Sequence, residues 1–365
     1  MKTRFFLLVV GSIILSACAP TPTPPPATFT PSPAPTSSLS PTPVVLPTPA
    51  PFFSLFSADP IVPKGKAGAW DDRFTDPGAV IYHIGVFHMF RNGFRAFPGT
   101  SQVGYVTSED GFTWTKQGDE PVFTTAQVSY AKIAMYASSV LVEDDGTWVL
   151  YFYTWDSEAF PSSGVIGRAT ASAPQGPWMA DAEPVLLPGS QREWDGKQVL
   201  APHVIKTDSG YLMYYSGTDF RGDSKIGLAT SVDGIHWTKY NDPGTNDASN
   251  TESDPVLIND SSGDWDAGIV HQPRVFQTDA GWLMLYRGTA KDNSHMALGI
   301  ATSEDGLSWT KATYNPVFVP SEIPQAKFFW FNNALLVNDT LYLFVEGDIN
   351  QRTQIYLLTR SAELP

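Results

Sequence analysis

Apolar and polar residues alternate along short stretches of this chain, and turn residues separate the stretches. In one region, residues 199–207 alternate, residues 208–210 (Asp-Ser-Gly) form a turn, and residues 211–215 return. A third stretch, residues 225–230, leads through a tight turn into residues 235–239. Alternation of period two, bounded by glycine and aspartate, is typical of half-buried β-strands joined by hairpins. The pattern predicts an all-β protein built from groups of four antiparallel strands.

A proline-centred tetrapeptide repeats along the chain with the same period as these strand groups. It consists of Asp, Glu or Asn, then proline and two apolar residues, and its copies begin at Asp59, Glu120, Glu183, Asp254 and Asn315. A spacing of roughly 60–70 residues is that of a four-stranded propeller blade with its loops. The repeat therefore predicts a five-bladed β-propeller of four-stranded antiparallel blades. The last group lacks an outer strand, so we expect N-terminal residues to supply it and close the ring.

Two further motifs follow the repeat and favour structural roles. Ser-x-Asp-Gly turns occupy residues 108–111, 231–234 and 303–306. Their Asp-Gly pairs supply the positive φ and the side-chain bond that a tight hairpin needs, and the tryptophan three residues later is expected to pack between blades. Trp-Asp pairs recur in three blades and end at Asp71, Asp195 and Asp266. This recurrence indicates a structural role, such as capping the start of an inner strand.

Composition narrows the range of partners and cofactors. The net charge is −14 and basic clusters are absent, which disfavours nucleic acid and anionic membrane surfaces as partners. The single cysteine, Cys18, leaves the folded part without a disulfide or a thiolate site. No two histidines have metal-ligand spacing, so we infer no metal site and no cofactor. We expect a monomer.

The N-terminal region predicts export and lipid anchoring. Residues 1–18 combine a basic start, a short apolar run and the sequence Leu-Ser-Ala-Cys, which looks like a lipoprotein signal peptide with a bacterial lipobox ending at Cys18. An ordinary signal peptide with an incidental cysteine is the alternative. Residues 19–52 are rich in Pro, Thr and Ser and carry no charge, as in a semi-rigid spacer. We expect the propeller, residues 53–365, to be attached to the cell envelope, at the cell surface or on the periplasmic side, only through this lipid.

The predicted propeller axis carries a set of side chains suited to carbohydrate. In propellers the first strand of each blade lines the axis, and ligands bind where those strands begin. A gapless alignment of the blades places these residues at equivalent first positions: Asp76, Tyr136, Leu200, His271 and Trp330. The second strands end on the same side with Asn92, Tyr153, Ser216, Arg287 and Glu346. A shift of one residue would exchange the side chains that face the axis.

Aromatic rings suit the apolar faces of a sugar, and charged groups suit its hydroxyls. We therefore predict that the ligand is a carbohydrate, contacted by Asn92, Tyr136, Tyr153, His203, His271, Arg287 and Trp330. His271 could alternatively be a structural histidine or contact a central cation.

Residues 74–78 (Phe-Thr-Asp-Pro-Gly) resemble the start of the first inner strand in five-bladed propeller glycosidases, which are glycoside hydrolase families 32, 43, 62, 68 and their relatives. In those families this aspartate is the nucleophile of retaining enzymes or the general base of inverting ones. The resemblance implies that role for Asp76 and, for the protein, hydrolysis of glycosidic bonds in oligo- or polysaccharides. The hairpin motifs and residues 282–288 also look like proteins of families 43 and 130.

Two carboxyl groups of that family pattern are missing. The second blade begins at Tyr136 without the family's aspartate, and the third begins at Leu200 without its acid glutamate. Because glycoside cleavage normally needs two carboxyl groups, another residue must supply the acid. Glu346 is the best candidate because its blade neighbours the first, although Arg287 could keep it ionised by lowering its pKa. Asp195 and Asp266 rank below Glu346.

Other functions stay open at this point. A non-catalytic glycan-binding lipoprotein with a degenerate active site is the main alternative to a hydrolase. A phosphorylase of the family 130 kind would need several basic groups for phosphate, and Arg91, Arg274 and Arg287 are available. A sialidase is disfavoured, because its hairpin turns carry one more residue between Asp and Gly and its arginine triad cannot be identified.

Overall fold

The computed structural model describes residues 51–96, 99–155, 163–245, 247–259 and 265–363. These residues belong to the second of two units into which the chain divides, residues 50–365. Cys18, the predicted signal peptide and all but the last two residues of the predicted spacer lie outside the described residues. Within the described ranges no helix is long and apolar enough to cross a membrane.

The described part of the chain is all-β, as predicted, with two short 3-10 turns at Thr125–Gln127 and Pro320–Glu322. Its strands form five antiparallel sets. The first strand, β1 (Ser54–Leu55), belongs to the last set. Set one contains β2 (Phe74–His83), β3 (Val86–Phe94), β4 (Gln102–Ser108) and β5 (Thr115–Lys116). Set two contains β6 (Met135–Val142), β7 (Trp148–Trp155), β8 (Gly164–Ala171) and β9 (Met179–Ala180).

The remaining sets repeat this order. Set three contains β10 (Gln198–Thr207), β11 (Gly210–Thr218), β12 (Ser224–Ser231) and β13 (Thr238–Lys239), and β14 (Pro255–Leu257) also pairs with β12. Set four contains β15 (Ile269–Thr278), β16 (Gly281–Thr289), β17 (Met296–Ser303) and β18 (Thr310–Lys311). Set five contains β19 (Asn332–Val337), β20 (Thr340–Asp348) and β21 (Thr353–Ser361), and β1 pairs with β21.

The proline tetrapeptides give each set an additional edge contact. The last residue of each tetrapeptide pairs with the third strand of a set, in the pairs Val62–Ile355, Phe123–Val103, Leu186–Ile166, Leu257–Ile226 and Phe318–Leu298. All five tetrapeptide side chains in these pairs are buried. The sequence repeat thus reflects one apolar contact made five times, and the copy at Asp59 serves set five.

The Trp-Asp pairs tie the strands of one set together. In set three the ring of Trp194 lies where a side chain on Gly217 would project, since a Cβ there would be 2.3 Å from the ring. The carboxylate of Asp195 accepts hydrogen bonds from the Tyr215 hydroxyl (3.0 Å) and the Lys239 ammonium (2.6 Å). The predicted structural role is confirmed, but the carboxylate holds the lysine of the outer strand rather than capping the inner one.

The Asp-Gly turns are structural as well. In set three, Asp233 Oδ1 accepts hydrogen bonds from the backbone N–H groups of Ile235 (2.9 Å) and His236 (2.8 Å). The carbonyl of Gly234 accepts a hydrogen bond from the Tyr151 hydroxyl of set two (2.8 Å). Trp237 packs edge-on against the same tyrosine, as expected for a residue between neighbouring sets.

The buried apolar side chains of the described residues form five clusters, and each cluster lies between two neighbouring sets. The cluster between sets five and one includes Phe344 and Leu357 from set five and Met89 and Val106 from set one. The first and last parts of the described chain therefore share one core, and their inner strands lie side by side.

Candidate active site

The site forms where the inner strands begin. A one-residue bulge follows the third residue of the inner strand in sets one to four, after Asp76, Ala137, Leu200 and His271. Opposite Asp76, Tyr136, Leu200 and His271 the second strands present Asn92, Tyr153, Ser216 and Arg287. These are the pairs that the sequence alignment placed there, and only in set two does the bulge follow one residue later, after Ala137.

Set five differs, and the predicted position of Trp330 is wrong. Strand β19 pairs with β20 without a bulge, so Phe331 lies opposite Glu346. The N–H of Glu346 donates to the Phe331 carbonyl at 3.1 Å, and the N–H of Phe331 donates to Glu346 Oε2 at 3.1 Å. The ring of Phe331 stacks on Tyr136, with centroids 4.9 Å apart, whereas Trp330 is 51% exposed. A gapless alignment misplaces this position because it assumes the missing bulge.

Asp76 and Glu346 form a buried pair of carboxyl groups. Asp76 is 0% and Glu346 1% exposed. Asp76 Oδ1 accepts a hydrogen bond of 2.6 Å from the Thr353 hydroxyl, and Oδ2 makes no hydrogen bond within the described part of the chain. The two strands that carry them, β2 and β20, come from opposite ends of the domain and meet because sets one and five are neighbours.

The environment favours one shared proton on this pair. Burial raises the pKa of Asp76 to about 7, although the Thr353 hydroxyl and the adjacent Glu346 carboxyl partly offset the effect. Burial raises the pKa of Glu346 well above its usual range, and the charges of Asp76 and Asp348 raise it further. Two adjacent carboxyl groups cannot both ionise easily, so Glu346 holds the proton while Asp76 ionises near neutral pH. Arg287 and Glu346 do interact, since the Glu346 charge raises the pKa of Arg287, but burial dominates and the pKa of Glu346 is raised rather than lowered.

Basic side chains from set four occupy the other side of the site. Arg287 Nη1 donates to the carbonyl of Trp330. Arg274 donates to the carbonyl of Pro273 at 2.8 Å and to the Ser138 hydroxyl at 3.3 Å. Burial lowers the pKa of both arginines to about 10, which leaves them charged at neutral pH. Burial and these two charges also lower the pKa of His271, so its imidazole is neutral.

Tyr153 lies between the acidic and the basic side chains. Burial raises the pKa of its hydroxyl, Arg287 and Arg274 lower it, and Asp76 and Glu346 raise it again. The Tyr153 hydroxyl therefore lies near both the basic and the acidic side chains. Tyr136, also buried, packs against Tyr153 with ring centroids 5.3 Å apart. The two tyrosines thus line the site together with Phe331.

Two residues predicted to contact sugar have their polar atoms engaged within the protein. The Asn92 amide accepts from the Ala137 N–H at 2.8 Å and donates to the Ala137 carbonyl at 3.3 Å, which joins sets one and two. His203 Nδ1 accepts from the N–H of Val275 at 3.1 Å, and burial lowers the pKa of His203 to about 3. Both residues lie beside the site and connect neighbouring sets.

The three arginines considered for phosphate do not converge. Arg91 forms an ion pair of 2.7 Å with Asp71 and lies over the Trp70 ring, whereas Arg274 and Arg287 lie at the site. A cation beside His271 is also disfavoured by the two neighbouring guanidinium charges. Among the residues with described positions, no group of three His, Cys, Asp or Glu could hold a metal ion.

Thr353 and Phe331 are site residues that the sequence analysis missed. Thr353 opens strand β21 and has no surrounding motif, so only its position beside β2 reveals its contact with Asp76. Phe331 could have been found from the sequence only by recognising that set five lacks the bulge.

Residues 71–254 match the family model described as glycosyl hydrolases family 32 N-terminal domain. The match spans half of the chain and includes Asp76. The chain belongs to this family. The resemblance inferred from the residues around Asp76 is therefore confirmed at the level of the family, and the ligand class that the family implies is carbohydrate. No curated protein sequence matches the chain.

Several solved structures share the fold. A glycosyl hydrolase from Bacteroides ovatus is 18% identical, with a TM-score of 0.60, covering 84% of this chain and 93% of its own. A thermostable family-43 glycoside hydrolase is 14% identical, with a TM-score of 0.59, covering 80% and 91%.

A third structure belongs to a family 130 of mannoside phosphorylases that contains glycoside hydrolases targeting β-1,2-mannosidic linkages in Candida mannan. It is 18% identical, with a TM-score of 0.63, covering 86% of this chain and 95% of its own. At these identities the similarity concerns the fold.

Proposed function

We propose that this protein is an exported glycoside hydrolase that cleaves glycosidic bonds in oligo- or polysaccharides, anchored to the bacterial cell envelope by a lipid on Cys18. The observation that carries the proposal is the buried pair of Asp76 and Glu346, in which two carboxyl groups share one environment but differ in protonation. Two carboxyl groups with separated pKa values are what glycoside hydrolysis requires.

The chemistry follows from the protonation of the pair. Glu346, which holds its proton at neutral pH, acts as the general acid and protonates the oxygen of the departing sugar as the glycosidic bond breaks. Asp76, ionised and oriented by the Thr353 hydroxyl, either attacks the anomeric carbon or removes a proton from the attacking water. If Asp76 attacks, the Glu346 carboxylate then takes a proton from the water that hydrolyses the glycosyl ester on Asp76, which restores both groups. If Asp76 acts as the base, it passes the proton of the attacking water to solvent, and Glu346 takes up a proton from solvent before the next bond is cleaved.

We propose that the five strand sets are the blades of a five-bladed propeller closed by β1. Each neighbouring pair of sets shares an apolar cluster, including sets five and one. The pairing of β1 with β21 supplies set five with a fourth strand from the N-terminal end of the domain. In such a ring the site lies at the axis, where the inner strands begin.

One observation favours a second candidate function, a non-catalytic glycan-binding lipoprotein. Tyr136 and Leu200 stand where the related families have carboxyl groups, so two carboxyl groups of the family pattern are absent from the site. A site with this arrangement can bind a sugar without cleaving it.

Hydrolysis of an oligosaccharide panel by the full chain distinguishes the two functions. The panel contains arabino-, xylo-, fructo-, manno- and galacto-oligosaccharides and acidic oligosaccharides, and the variants are Asp76→Asn and the exposed control Asp145→Asn. Sugar release that falls at least about 10³-fold in Asp76→Asn alone supports the hydrolase. Absence of turnover, with a sugar that raises the melting temperature of both the wild type and Asp76→Asn, supports the binding protein.

A further inference from the structure

Two arginines are buried at the site without an ion-pair partner in the part of the chain that the structure describes. Arg274 and Arg287 are 3% and 6% exposed, and neither forms an ion pair with any residue whose position is described. By contrast, the similarly buried Arg91 is paired with Asp71 at 2.7 Å. The hydrogen bonds of Arg274 and Arg287 go to backbone carbonyls and a serine hydroxyl, which carry no charge.

The charges within the site do not balance. An arginine side chain stays protonated at neutral pH, so the two guanidinium groups bring two positive charges into a buried region. The nearby carboxyl pair shares one proton and therefore contributes a single negative charge, and Asp348 acts on that pair rather than on the two arginines. One positive charge is left over, and burying an uncompensated charge costs free energy that an anionic ligand would recover.

The unused hydrogen-bond donors lie next to an exposed aromatic ring. Among the described residues, Arg287 makes a hydrogen bond only through Nη1, to the Trp330 carbonyl. Its guanidinium lies 5.8 Å from the Trp330 ring, which is half exposed. His271 packs beside the arginines with Nδ1 unpartnered. A ligand resting on the Trp330 face would thus place a substituent within reach of the guanidinium.

We propose that this basic cluster binds the carboxylate of an acidic sugar, so that the substrate or ligand is a uronic-acid-containing glycan. The inference rests on the proposed carbohydrate function of the same site and specifies its substrate class. Arg287 pairs with the sugar carboxylate, a planar group that matches its planar fork. Arg274 and His271 flank Arg287, and Trp330 packs on the sugar ring.

The number of available basic groups favours a carboxylate over a phosphate. Phosphate needs several converging donors to compensate its charge of nearly two, and Arg91 is engaged elsewhere by Asp71. A single negative charge on the ligand would balance the single positive charge left over in the site. Neutral sugars would leave that charge uncompensated.

Ligand binding to the full chain tests the inference without requiring catalysis. Galacturonate and glucuronate are titrated by calorimetry against the neutral sugars galactose and glucose and against inorganic phosphate, at equal ionic strength. We expect a uronate to bind at least about 10-fold more tightly than its neutral counterpart and than phosphate, because a charge-assisted hydrogen bond contributes that much. Arg287→Gln should remove this preference, and Arg287→Lys should restore part of it.

Arg360→Gln is the matched control, because Arg360 also lies over an aromatic ring, Phe52, and donates to a backbone carbonyl, but far from the site. It should bind the uronates as the wild type does. Equal binding of acidic and neutral sugars, a preference for phosphate, or an unchanged preference in Arg287→Gln would each overturn the inference. Uronate binding without hydrolysis would support the inference and refute only the proposed hydrolase. Asp76-dependent cleavage of neutral oligosaccharides without uronate binding would support the hydrolase and refute only the inference.

Discussion

The hydroxyl of Thr353 donates a hydrogen bond of 2.6 Å to Asp76, although 277 positions of the chain separate the two residues. The same hydroxyl accepts the N–H of Thr75 at 3.0 Å, so the first residue of β21 is joined to both the backbone and the candidate catalytic side chain of β2. One side chain of β21 thus contacts the backbone of β2 and also orients Asp76.

Loss of the Thr353 hydroxyl should change the pH dependence of activity. The hydrogen bond stabilises the Asp76 carboxylate and lowers its pKa, so Thr353→Val should raise that pKa. Because Asp76 must be ionised to act, the acidic limb of the kcat/KM profile should move to higher pH. Thr353→Ser, which keeps the hydroxyl, should leave the limb in place. An identical profile in Thr353→Val would contradict the role assigned to this contact.

Thr353→Val should also reduce stability, because it leaves the buried N–H of Thr75 without an acceptor. The free energy of unfolding should fall by about 1–3 kcal/mol. Urea unfolding of Thr353→Val, Thr353→Ser and the wild type measures this difference.

Removal of the proposed acid should affect substrates unequally. Glu346→Gln keeps an oxygen that can accept the Phe331 N–H but has no acidic proton. The rate for sugars with a poor leaving group should fall by about 10²–10⁴-fold, while aryl glycosides with an acidic leaving group should lose much less. Steady-state kinetics on both substrate types measures the ratio. An equal loss on both would show that Glu346 is not the acid.

Stability should decline as the pH rises through the neutral range. Burial raises the pKa of Asp76 and Glu346 above their unfolded values of about 3.9 and 4.3. At a pH between the unfolded and the folded pKa of either group, the folded protein therefore binds more protons than the unfolded chain. Their contribution is fully present below about pH 4 and is lost as the pH passes the folded pKa values, at up to about 1.4 kcal/mol per pH unit and proton. Urea unfolding from pH 5 to 8 should show a smaller decline in Glu346→Gln. A decline of the same size in that variant would exclude the pair as its cause.

Close contact between tryptophan and glycine should make Gly217 intolerant of a side chain. A Cβ at this position would lie 2.3 Å from the Trp194 ring, so Gly217→Ala must displace a fully buried tryptophan. The free energy of unfolding should fall by about 1–3 kcal/mol. Gly244→Ala, where the nearest atom of the described residues belongs to the flexible Asp242 side chain at 3.2 Å, is the control and should change stability less. Equal effects of the two substitutions would show that the ring can move aside.

Local patterns in the sequence were enough to predict the strands, the hairpins and their repetition. The Asp-Gly turns and the proline tetrapeptides act over a few residues, through positive φ, side-chain bonds and one apolar contact, so their role can be inferred from the residues themselves. The same holds for Asp76, because the Asp-Pro pair at the start of its strand carries the family resemblance.

The composition of the site depends on contacts between distant segments. Whether Phe331 or Trp330 faces Glu346 is decided by the absence of one bulge in set five, and a shift of one residue reverses every side chain along a strand. Burial causes Asp76 and Glu346 to share a proton, and it encloses the charges of Arg274 and Arg287. The degree of burial cannot be inferred from the type of a residue. The amino-acid order therefore specifies the strands and their repeat, whereas packing between the first and last sets creates the electrostatics of the site, because pKa values and charge balance depend on which groups exclude water together.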